Sequence, residues 1–181
     1  MDVLDSARER ASRIKLMAFD VDGVLSDGSL FYTDDGIEIK AFNSVDGLGL
    51  NLLKKAGITI AVITGRKARC VEIRMQHLGI DLLFEGVGNK LETMQELLAK
   101  LGLKADEAGF MGDDIIDLQV MAACGFSAAP ADGHELAKRY ARLIASKKGG
   151  HGAVREVCEF ILDAQGVLDA VLAPYLPTAA S

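Results

Sequence analysis

The sequence predicts an α/β protein: a Rossmann-like, doubly wound parallel sheet with helices on both faces. Short apolar runs alternate with longer segments whose leucines recur at helical spacing, and each of these longer segments stops at a glycine. Strands that alternate with helices pair in parallel, and right-handed crossovers place the helices on both faces of the sheet. With 181 residues, 50% of them hydrophobic, the chain fits one domain spanning residues 1–181.

Five apolar runs are predicted to be buried strands, namely residues 14–19, 58–63, 82–84, 108–111 and 126–129. Leucines and methionines between them predict helices that stop at Gly57, Gly79 and Gly102, because glycine commonly follows a helix end. In a parallel sheet, ligands bind beyond the carboxyl ends of the strands. The functional residues are therefore expected at those ends.

Residues 29–42 break the alternation. Their β-rich flanks surround Asp35-Gly36, a pair typical of a hairpin turn, and we expect a β-hairpin flap that projects beside the strand ends. Residues 147–181 are expected to form a C-terminal lid and tail. Three glycines beside basic residues suit a mobile lid that contacts an anion, and the proline-containing end is expected to be partly disordered.

Charge and hydropathy exclude several classes of partner. The formal net charge of −6 argues against nucleic acid or an anionic membrane, since both require clustered lysine and arginine. No stretch approaches the ~18 apolar residues of a membrane span, and the N-terminus lacks the apolar segment of a signal peptide. The 3 cysteines form neither a disulfide framework nor a metal-type pair. The cytoplasm is the expected location.

Polar side chains stand where the predicted strands end. Asp20 and Asp22 follow the first strand, Thr64 follows the second and Asp113 the fourth, while Lys90 opens a predicted helix. Carboxyl ends of parallel strands meet at one edge of a sheet, so these side chains are expected to converge. Each motif alone is more often a turn, a strand end or a solvated residue. Their order and spacing together favour a site.

These residue types suit phosphate ester hydrolysis. Clustered carboxylates need a cation, and Mg²⁺ accepts a few carboxylate oxygens together with a substrate phosphate. A metal-neutralised phosphate lets Asp20 attack phosphorus as a nucleophile and form an acyl phosphate. Asp22 is suited to protonate the leaving group and then to deprotonate water. Thr64 and Lys90 are suited to hold the phosphate oxygens.

Two further acids complete the predicted metal site. Asp113 is expected in the metal shell with Asp20, and Asp117, one helical turn later, fits a position outside that shell.

Only 41 residues separate Asp22 from Thr64 and 22 separate the lysine at 90 from Asp113, which leaves no room for a cap domain. An uncapped site must exclude water and contact its substrate in another way.

The strand-end segments resemble the motifs of the haloacid dehalogenase-like phosphohydrolase superfamily: DVDGV, ITGR, the lysine after GN, and GDDIID. Longer segments, including KAFNSVDGLGL and GGHGAVREVCEFILDAQG, are similar to the 3-deoxy-D-manno-octulosonate 8-phosphate phosphatase family. The resemblance covers about residues 14–165. It implies an uncapped, magnesium-dependent phosphatase that frees an eight-carbon keto sugar for lipopolysaccharide synthesis through an aspartyl phosphate. It also implies that Asp22 binds the metal through its backbone carbonyl.

The resemblance implies a homotetramer as well. In that assembly the hairpin packs between subunits, and residues 148–155 of a neighbour approach the site. Phe31, Tyr32, Ile37 and Ile39 favour such packing, because a lone hairpin is marginally stable and its apolar side chains need cover. Packing of the same side chains on the parent domain is the alternative.

The resemblance implies residues that bind the sugar phosphate in four segments. They are Asp22, Gly23, Asn43, Ser44, Val45, Asp46, Gly47, Asn51, Thr64, Gly65, Arg66, Arg74 and Lys90. Arg66 and Arg74 suit a carboxylate or phosphate, since the guanidinium binds both as a fork, although Arg74 equally suits a solvated helix position. Members of the family often carry a basic or bulky residue near Val45, which leaves the sugar open between an eight-carbon and a nine-carbon keto acid.

Two functions of other classes fit part of the sequence. A signalling receiver domain also combines an aspartyl phosphate with Mg²⁺, threonine and lysine, but there the phosphorylated aspartate follows a later strand than the acidic pair. Here the Asp-x-Asp pair comes first, which excludes that reading. Similar uncapped domains also serve as non-catalytic oligomerisation modules. This chain keeps every catalytic residue of the phosphatases, which favours the enzyme.

Overall fold

The computed structural model describes residues 3–177. Its described residues form eight strands: β1 (Leu16–Phe19), β2 (Phe31–Tyr32), β3 (Glu38–Ile39), β4 (Thr59–Ile63), β5 (Leu82–Phe84), β6 (Ala108–Met111), β7 (Phe126–Ala129) and β8 (Leu143–Ile144). Six of them build one sheet in the order β5-β4-β1-β6-β7-β8, and all neighbours pair in parallel. The strands β2 and β3 form a separate antiparallel hairpin.

Eight α-helices accompany the strands in this part of the chain: α1 (Val3–Ala11), α2 (Ser44–Lys55), α3 (Arg69–Leu78), α4 (Lys90–Leu101), α5 (Leu118–Ala123), α6 (Glu135–Tyr140), α7 (Ala153–Ala164) and α8 (Leu168–Leu172). The core on one sheet face is built with α1, α2, α3 and α7, and α8 packs against it. The core on the other face is built with α4, α5 and α6. None of the described helices is long and apolar enough to cross a lipid bilayer.

Successive side chains of β1 point to opposite faces of the sheet, and both faces are covered. Met17 and Phe19 join the core beside α2 and α7, whereas Leu16 and Ala18 join the core beside α4 and α5. All four side chains are completely buried, as expected for a central strand between two helical layers. Two hydrophobic layers thus fix the position of the strand ends.

The predicted fold class and all five predicted strands are confirmed. The three predicted helices correspond to α2, α3 and α4, and Gly79 and Gly102 adopt the left-handed conformation directly after two of them. The helices α1, α5, α6, α7 and α8 and the strand β8 were not among the predicted elements. Most of them are short segments, which carry little periodic signal.

Residues 168–175, near the end of the described chain, form α8 and a 3₁₀ turn. The partial disorder expected in the tail stays a prediction. Leu168, Val171 and Leu172 pack against the core beside α7, and this burial outweighs the weak helical signal of so short a segment. Residues 178–181 lie outside the described part.

The strand order reverses between β1 and β6. From β1 the chain moves outward through β4 to β5, and α4 then returns it to β6 on the other side of β1. A crevice opens at such a reversal beyond the carboxyl ends of the strands. Asp20 directly follows β1 and Asp113 lies two residues beyond β6, so the two acids stand on opposite sides of this crevice.

The predicted hairpin is present and exposes apolar side chains. Phe31 pairs with Ile39, and Tyr32 pairs with Glu38. Phe31 is 56% exposed, Ile37 58% and Ile39 50%. The segment between β1 and α2 contains this hairpin and no larger insertion.

Asp46 joins α2 to the N-terminus of α7. Its buried carboxylate accepts hydrogen bonds from the backbone N–H groups of Gly152 (3.1 Å) and Arg155 (2.9 Å). The first N–H groups of a helix have no partner within the helix, and the positive end of the helix dipole lies there. A carboxylate at this position accepts hydrogen bonds from the unpaired N–H groups and also interacts favourably with the dipole. Gly49 lets the two helices approach closely, since a Cβ at this position would lie 2.9 Å from the Cα of Arg155.

We expect Asp46→Ala to lower the free energy of unfolding by about 1–3 kcal/mol, because two buried N–H groups lose their acceptor. Denaturant unfolding followed by circular dichroism measures the change. Asp163→Ala is the matched control: its ion pair with Arg8 is half exposed, and its loss should change stability by less than about 1 kcal/mol. Equal losses in the two variants would contradict the capping role.

Candidate active site

The site begins at the turn after β1, where residues Val21–Leu25 form a short irregular helical turn. Gly23 lies in this turn with a φ of 84°, a left-handed conformation that glycine adopts without strain. A Cβ on Gly23 would also lie 2.0 Å from Oδ2 of Asp113. Glycine is therefore required for the turn to approach the end of β6, and this approach brings Asp20 and Asp22 beside Asp113.

Lys90 lies between two aspartates. Its Nζ is 2.9 Å from Oδ1 of Asp20 and 2.6 Å from Oδ1 of Asp117, and all three side chains are buried. Lys90 is the first residue of α4, and Asn89 caps that helix by accepting a hydrogen bond from the N–H of Glu92. Buried charges of this kind are tolerated only when they are paired with one another.

Asp117 uses both carboxylate oxygens within the protein. Oδ1 accepts from Lys90, and Oδ2 accepts from the backbone N–H groups of Asp113 (3.1 Å) and Asp114 (3.4 Å). The residue is completely buried. This bonding is consistent with the predicted position outside the metal shell, from which Asp117 orients Lys90 and the backbone that carries Asp113.

The crowding of acids disfavours their charged forms. Burial raises the pKa of Asp20 to about 6; Asp117 adds to the rise, and Lys90 opposes it. Burial raises the pKa of Asp113 to about 7, and repulsion by Asp20 and Asp117 adds to it. For Lys90, burial acts to lower the pKa, but Asp20 and Asp117 overcome it and the net shift is upward. One ammonium thus leaves the three carboxylates with excess negative charge.

The three acids fit a hard divalent cation. Asp20, Asp113 and Asp117 each offer a carboxylate oxygen, and these oxygens lie within 4.8 Å of one another. Carboxylate oxygens are the ligands that Mg²⁺ prefers, and its charge would offset the repulsion that raises the pKa values. Asp20 and Asp113 line the adjoining cavity, so these two are placed to bind the ion, with Asp117 behind them.

A cavity of about 470 Å³ opens at the carboxyl ends of β1, β4 and β6. It brings together much of the predicted site, namely Asp20, Asp22, Gly23, Thr64, Gly65, Arg66 and Asp113. Six aspartates and one arginine are among its lining residues. Walls of this charge repel an anion unless a cation is bound there.

Asp22 faces the cavity and is held from behind by Lys40. The Lys40 ammonium is completely buried; it forms an ion pair with Oδ1 of Asp22 and lies 2.6 Å from Oε1 of Glu38. Arg66 Nη2 donates to Oε2 of Glu38 (2.8 Å) and to the hydroxyl of Tyr32 (2.8 Å). Its Nε lies 3.7 Å from Oδ2 of Asp22. A charged network therefore connects the hairpin to this acid.

Two predicted sugar-binding residues lie away from the cavity. Asn43 caps α2 by accepting from the N–H of Val45 (2.8 Å), and its side-chain amide donates to the carbonyl of Gly150 (3.2 Å). Arg74 Nη2 donates to the carbonyl of Asn43 (3.3 Å), and its guanidinium lies over the ring of Phe42. Both side chains thus have partners within the protein.

The other predicted residues of α2 are also outside the cavity. Asp46 and Gly47 are buried, and both oxygens of Asp46 are bonded to the start of α7. Ser44 and Val45 are exposed at the first turn of α2, and Asn51 is half-buried further along. None of these described residues lines the cavity of about 470 Å³, so their contact with a substrate stays a prediction.

The glycine loop before α7 packs against the turn formed by Val21–Leu25. Gly149 and Gly150 are buried, and the N–H of Gly150 donates to the carbonyl of Val24 (2.9 Å). A Cβ on Gly149 would lie 1.8 Å from the carbonyl oxygen of Gly23, so glycine is required for this contact. Within one chain the loop is therefore a packed support of this turn. A lid role for residues 147–181 across subunits stays a prediction.

Some site residues escaped prediction. The cavity is also lined by Asp27, Gly28, Ser29, Asp114, Ile116 and Asp132. Loop residues of this kind carry no periodic signal. Among them, Asp114 is the second aspartate of the Gly-Asp-Asp motif and directly follows Asp113, which was predicted. Lys40 was not predicted either. Its sequence position offered one indication, namely a single lysine among the apolar residues that end the hairpin.

Protein-family comparison gives matches over most of the chain. A family model described as haloacid dehalogenase-like hydrolase matches residues 32–129. A 3-deoxy-D-manno-octulosonate 8-phosphate phosphatase of Yersinia pestis is 46% identical over 167 residues, which cover 92% of this chain and 89% of that protein. The phosphatase of the same name from Escherichia coli is 46% identical over 160 residues, or 88% of this chain and 85% of that protein.

Solved structures give similar matches. A 3-deoxy-D-manno-octulosonate 8-phosphate phosphatase from Moraxella catarrhalis, in complex with magnesium ion, phosphate ion and KDO, aligns with a TM-score of 0.93 and 42% identity. The match covers 95% of this chain and 99% of that one. A cobalt-bound phosphatase from Haemophilus influenzae aligns with a TM-score of 0.86 and 40% identity, covering 89% of this chain and 94% of that one.

We expect magnesium to raise the melting temperature more at about pH 8 than at about pH 5. The raised pKa values mean that the folded, metal-free protein binds protons that the unfolded chain has released, so its stability falls as pH rises from about 4 to about 7. Magnesium needs the ionised carboxylates, so its stabilising effect grows over the upper part of the same window.

Thermal unfolding with and without magnesium across this pH range measures the effect. Asp113→Asn should reduce both the magnesium shift and its pH dependence, whereas the exposed control Asp163→Ala should retain both. A magnesium shift of the same size at every pH would contradict the expectation.

Proposed function

The chain belongs to the haloacid dehalogenase-like hydrolase family, and we propose that it is a magnesium-dependent phosphatase acting on 3-deoxy-D-manno-octulosonate 8-phosphate. The observation that carries the proposal is the aspartate-lined cavity at the strand reversal, in which Asp20 is paired with the buried Lys90. Acidic walls exclude a free anion but suit a phosphate that is bound together with a divalent cation. A paired aspartate in such a place is suited to attack that phosphate.

Each of the central residues has a role in this proposal. Asp20 is the nucleophile and Asp22 the general acid and base, since both line the cavity from the same turn. Thr64, at the end of β4, and Lys90 hold the phosphate oxygens. Asp113 and Asp20 would hold magnesium through their side chains, and Asp22 would do so through its backbone carbonyl. When bound, magnesium neutralises negative charge on the phosphate that would otherwise repel Asp20.

Hydrolysis then takes two steps. A carboxylate oxygen of Asp20 attacks phosphorus, the bond to the sugar oxygen breaks, and that oxygen takes a proton from Asp22. The products are the free keto sugar and an aspartyl phosphate. Asp22 next accepts a proton from water, whose oxygen attacks phosphorus and breaks the bond to Asp20. Inorganic phosphate leaves, and both aspartates return to their starting forms.

The substrate assignment is supported by the relatives and by the site. Proteins named as phosphatases of this sugar phosphate are 46% identical to the chain over most of its length. The cavity of about 470 Å³ is within the range of small-molecule sites. Arg66 at its edge suits the carboxylate of a keto acid sugar. We place the reaction in the cytoplasm, where it would supply lipopolysaccharide synthesis.

We further propose a homotetramer of single-domain subunits. The hairpin within residues 29–42 exposes Phe31, Ile37 and Ile39, and apolar side chains on a two-stranded hairpin need cover. An uncapped cavity also needs more contacts to exclude water. The C-terminal residues 147–181 of a neighbouring subunit are proposed to provide some of them.

We expect Asp20→Asn to reduce turnover by at least about 10³-fold, because the amide is a poor nucleophile while its shape is nearly unchanged. Phosphate release with saturating magnesium measures the loss, and a melting curve checks the fold. Asp163→Ala, which removes a half-exposed acid outside the cavity lining, should keep wild-type turnover. If the wild type released no phosphate from any ester, the chain would be a non-catalytic domain instead.

We expect kcat/KM for the eight-carbon keto sugar phosphate to exceed that for the nine-carbon homologue by about 10-fold or more, as one misplaced carbon costs about 1–3 kcal/mol. Arg66→Met should raise KM for both keto acids but change it little for a phosphate ester without a carboxylate. Lys67→Met, which removes a neighbouring exposed cation outside the cavity lining, is the control. A preference for the nine-carbon substrate would overturn the assignment.

A further inference from the structure

We propose that Lys40 is a positioning residue for proton transfer: its buried ammonium holds the carboxylate of Asp22 in place at the cavity. The inference rests on the proposed phosphatase function, because Asp22 transfers a proton only in that reaction. Lys40 itself does not line the cavity and acts through Asp22.

The geometry limits Lys40 to a small set of partners. Its side chain is 0% exposed, and its Nζ pairs with Oδ1 of Asp22 and with Oε1 of Glu38. Asp22 is 22% exposed and lines the cavity. Its second oxygen, Oδ2, lies on the side of Arg66, which is also a cavity residue. One oxygen of Asp22 is thus fixed by a buried cation, while the other remains on the cavity side.

The hairpin has an unusual distribution of side chains around this pair. Side chains of an extended strand alternate between two sides. Ile37 and Ile39 are at least half exposed, whereas the side chains of Glu38 and Lys40 are 13% and 0% exposed. The charged side therefore faces inward and the apolar side faces outward. If the segment served only to anchor the hairpin, its isoleucines would be expected to face the protein instead.

Burial of an ammonium is unfavourable unless its partners are well placed. Besides Glu38 on the same hairpin, the partner of Lys40 is Asp22, the acid two residues after Asp20. When Asp22 gives its proton to the leaving oxygen it becomes a carboxylate, and Lys40 lies where that negative charge develops. In the second step the same carboxylate must be held toward water. A fixed cation serves both steps because the position of Asp22 does not change.

The test compares leaving groups. An alkoxide leaves with a proton from the general acid, whereas 4-nitrophenolate leaves without one. The second step uses Asp22 with every substrate, so the rate to compare is that of leaving-group release in the first turnover, before the second step. General acid catalysis contributes about 10²–10⁴-fold, so imprecise placement of Asp22 in Lys40→Met should reduce this rate for an alkyl sugar phosphate by about tenfold or more. For 4-nitrophenyl phosphate the same variant should lose less than about threefold.

Further variants distinguish a loss of Asp22 positioning from a general loss of structure. In Asp22→Asn, which lacks the acid, the further change Lys40→Met should leave the first-turnover rate for the alkyl phosphate unchanged. Lys15→Met removes an exposed lysine at the other end of β1, paired with Glu107, and should behave as the wild type with both substrates. Lys40→Gln keeps a neutral donor near Asp22 and should show the same selective loss to a smaller extent.

Each outcome decides the inference. A loss of equal size on both substrates, in Lys40→Met or in Lys40→Gln, would show that Lys40 only maintains the fold and would overturn the positioning role. No loss on the alkyl phosphate would overturn it as well. If the wild type hydrolyses neither ester, the proposed function itself fails, and that result is distinct from both.

Discussion

The ion pairs of Lys90 with Asp20 and Asp117 are the interaction on which the rest of the site depends. The three charges are buried where β1, β6 and α4 meet, and each is tolerated there because the others are present. The pairing places a cation against Asp20, the proposed nucleophile. Asp113 is buried beside these acids, and its pKa rises because of that burial and, to a smaller extent, because Asp20 and Asp117 repel its charge. A divalent cation therefore suits the site.

The two acids of the catalytic turn are each paired with a buried lysine from a different element. Asp20 is paired with Lys90 at the start of α4, and Asp22 is paired with Lys40 at the end of the hairpin. The proposed nucleophile is thereby fixed by the central sheet and its helices, whereas the proposed acid and base is fixed by the projecting hairpin. Gly23 between them allows both pairings, because only a residue without Cβ fits against Asp113.

The central site could be predicted from the sequence because its residues stand at strand ends, and apolar runs locate strand ends well. Asp20, Thr64 and Asp113 were placed by that rule alone. Asp46 could not be assigned in the same way, because its role as a cap depends on a helix that begins 107 residues later, at Ala153. Lys40 escaped for a similar reason. Whether a lysine beside a hairpin is solvated or buried depends on packing across the chain, which local pattern does not record.

The hairpin carries two surfaces that alternate residue by residue, and this links assembly to chemistry. Ile37 and Ile39 form the outer side that the proposed tetramer would cover, while Glu38 and Lys40 form the inner side that holds Asp22. A two-stranded hairpin is marginally stable by itself, so an uncovered flap would hold its inner charges loosely. A neighbouring subunit that covers the outer side would also restrict the movement of the inner side chains, since both sides belong to one short strand. An uncapped enzyme could in this way use subunit contact both to exclude water and to fix its acid.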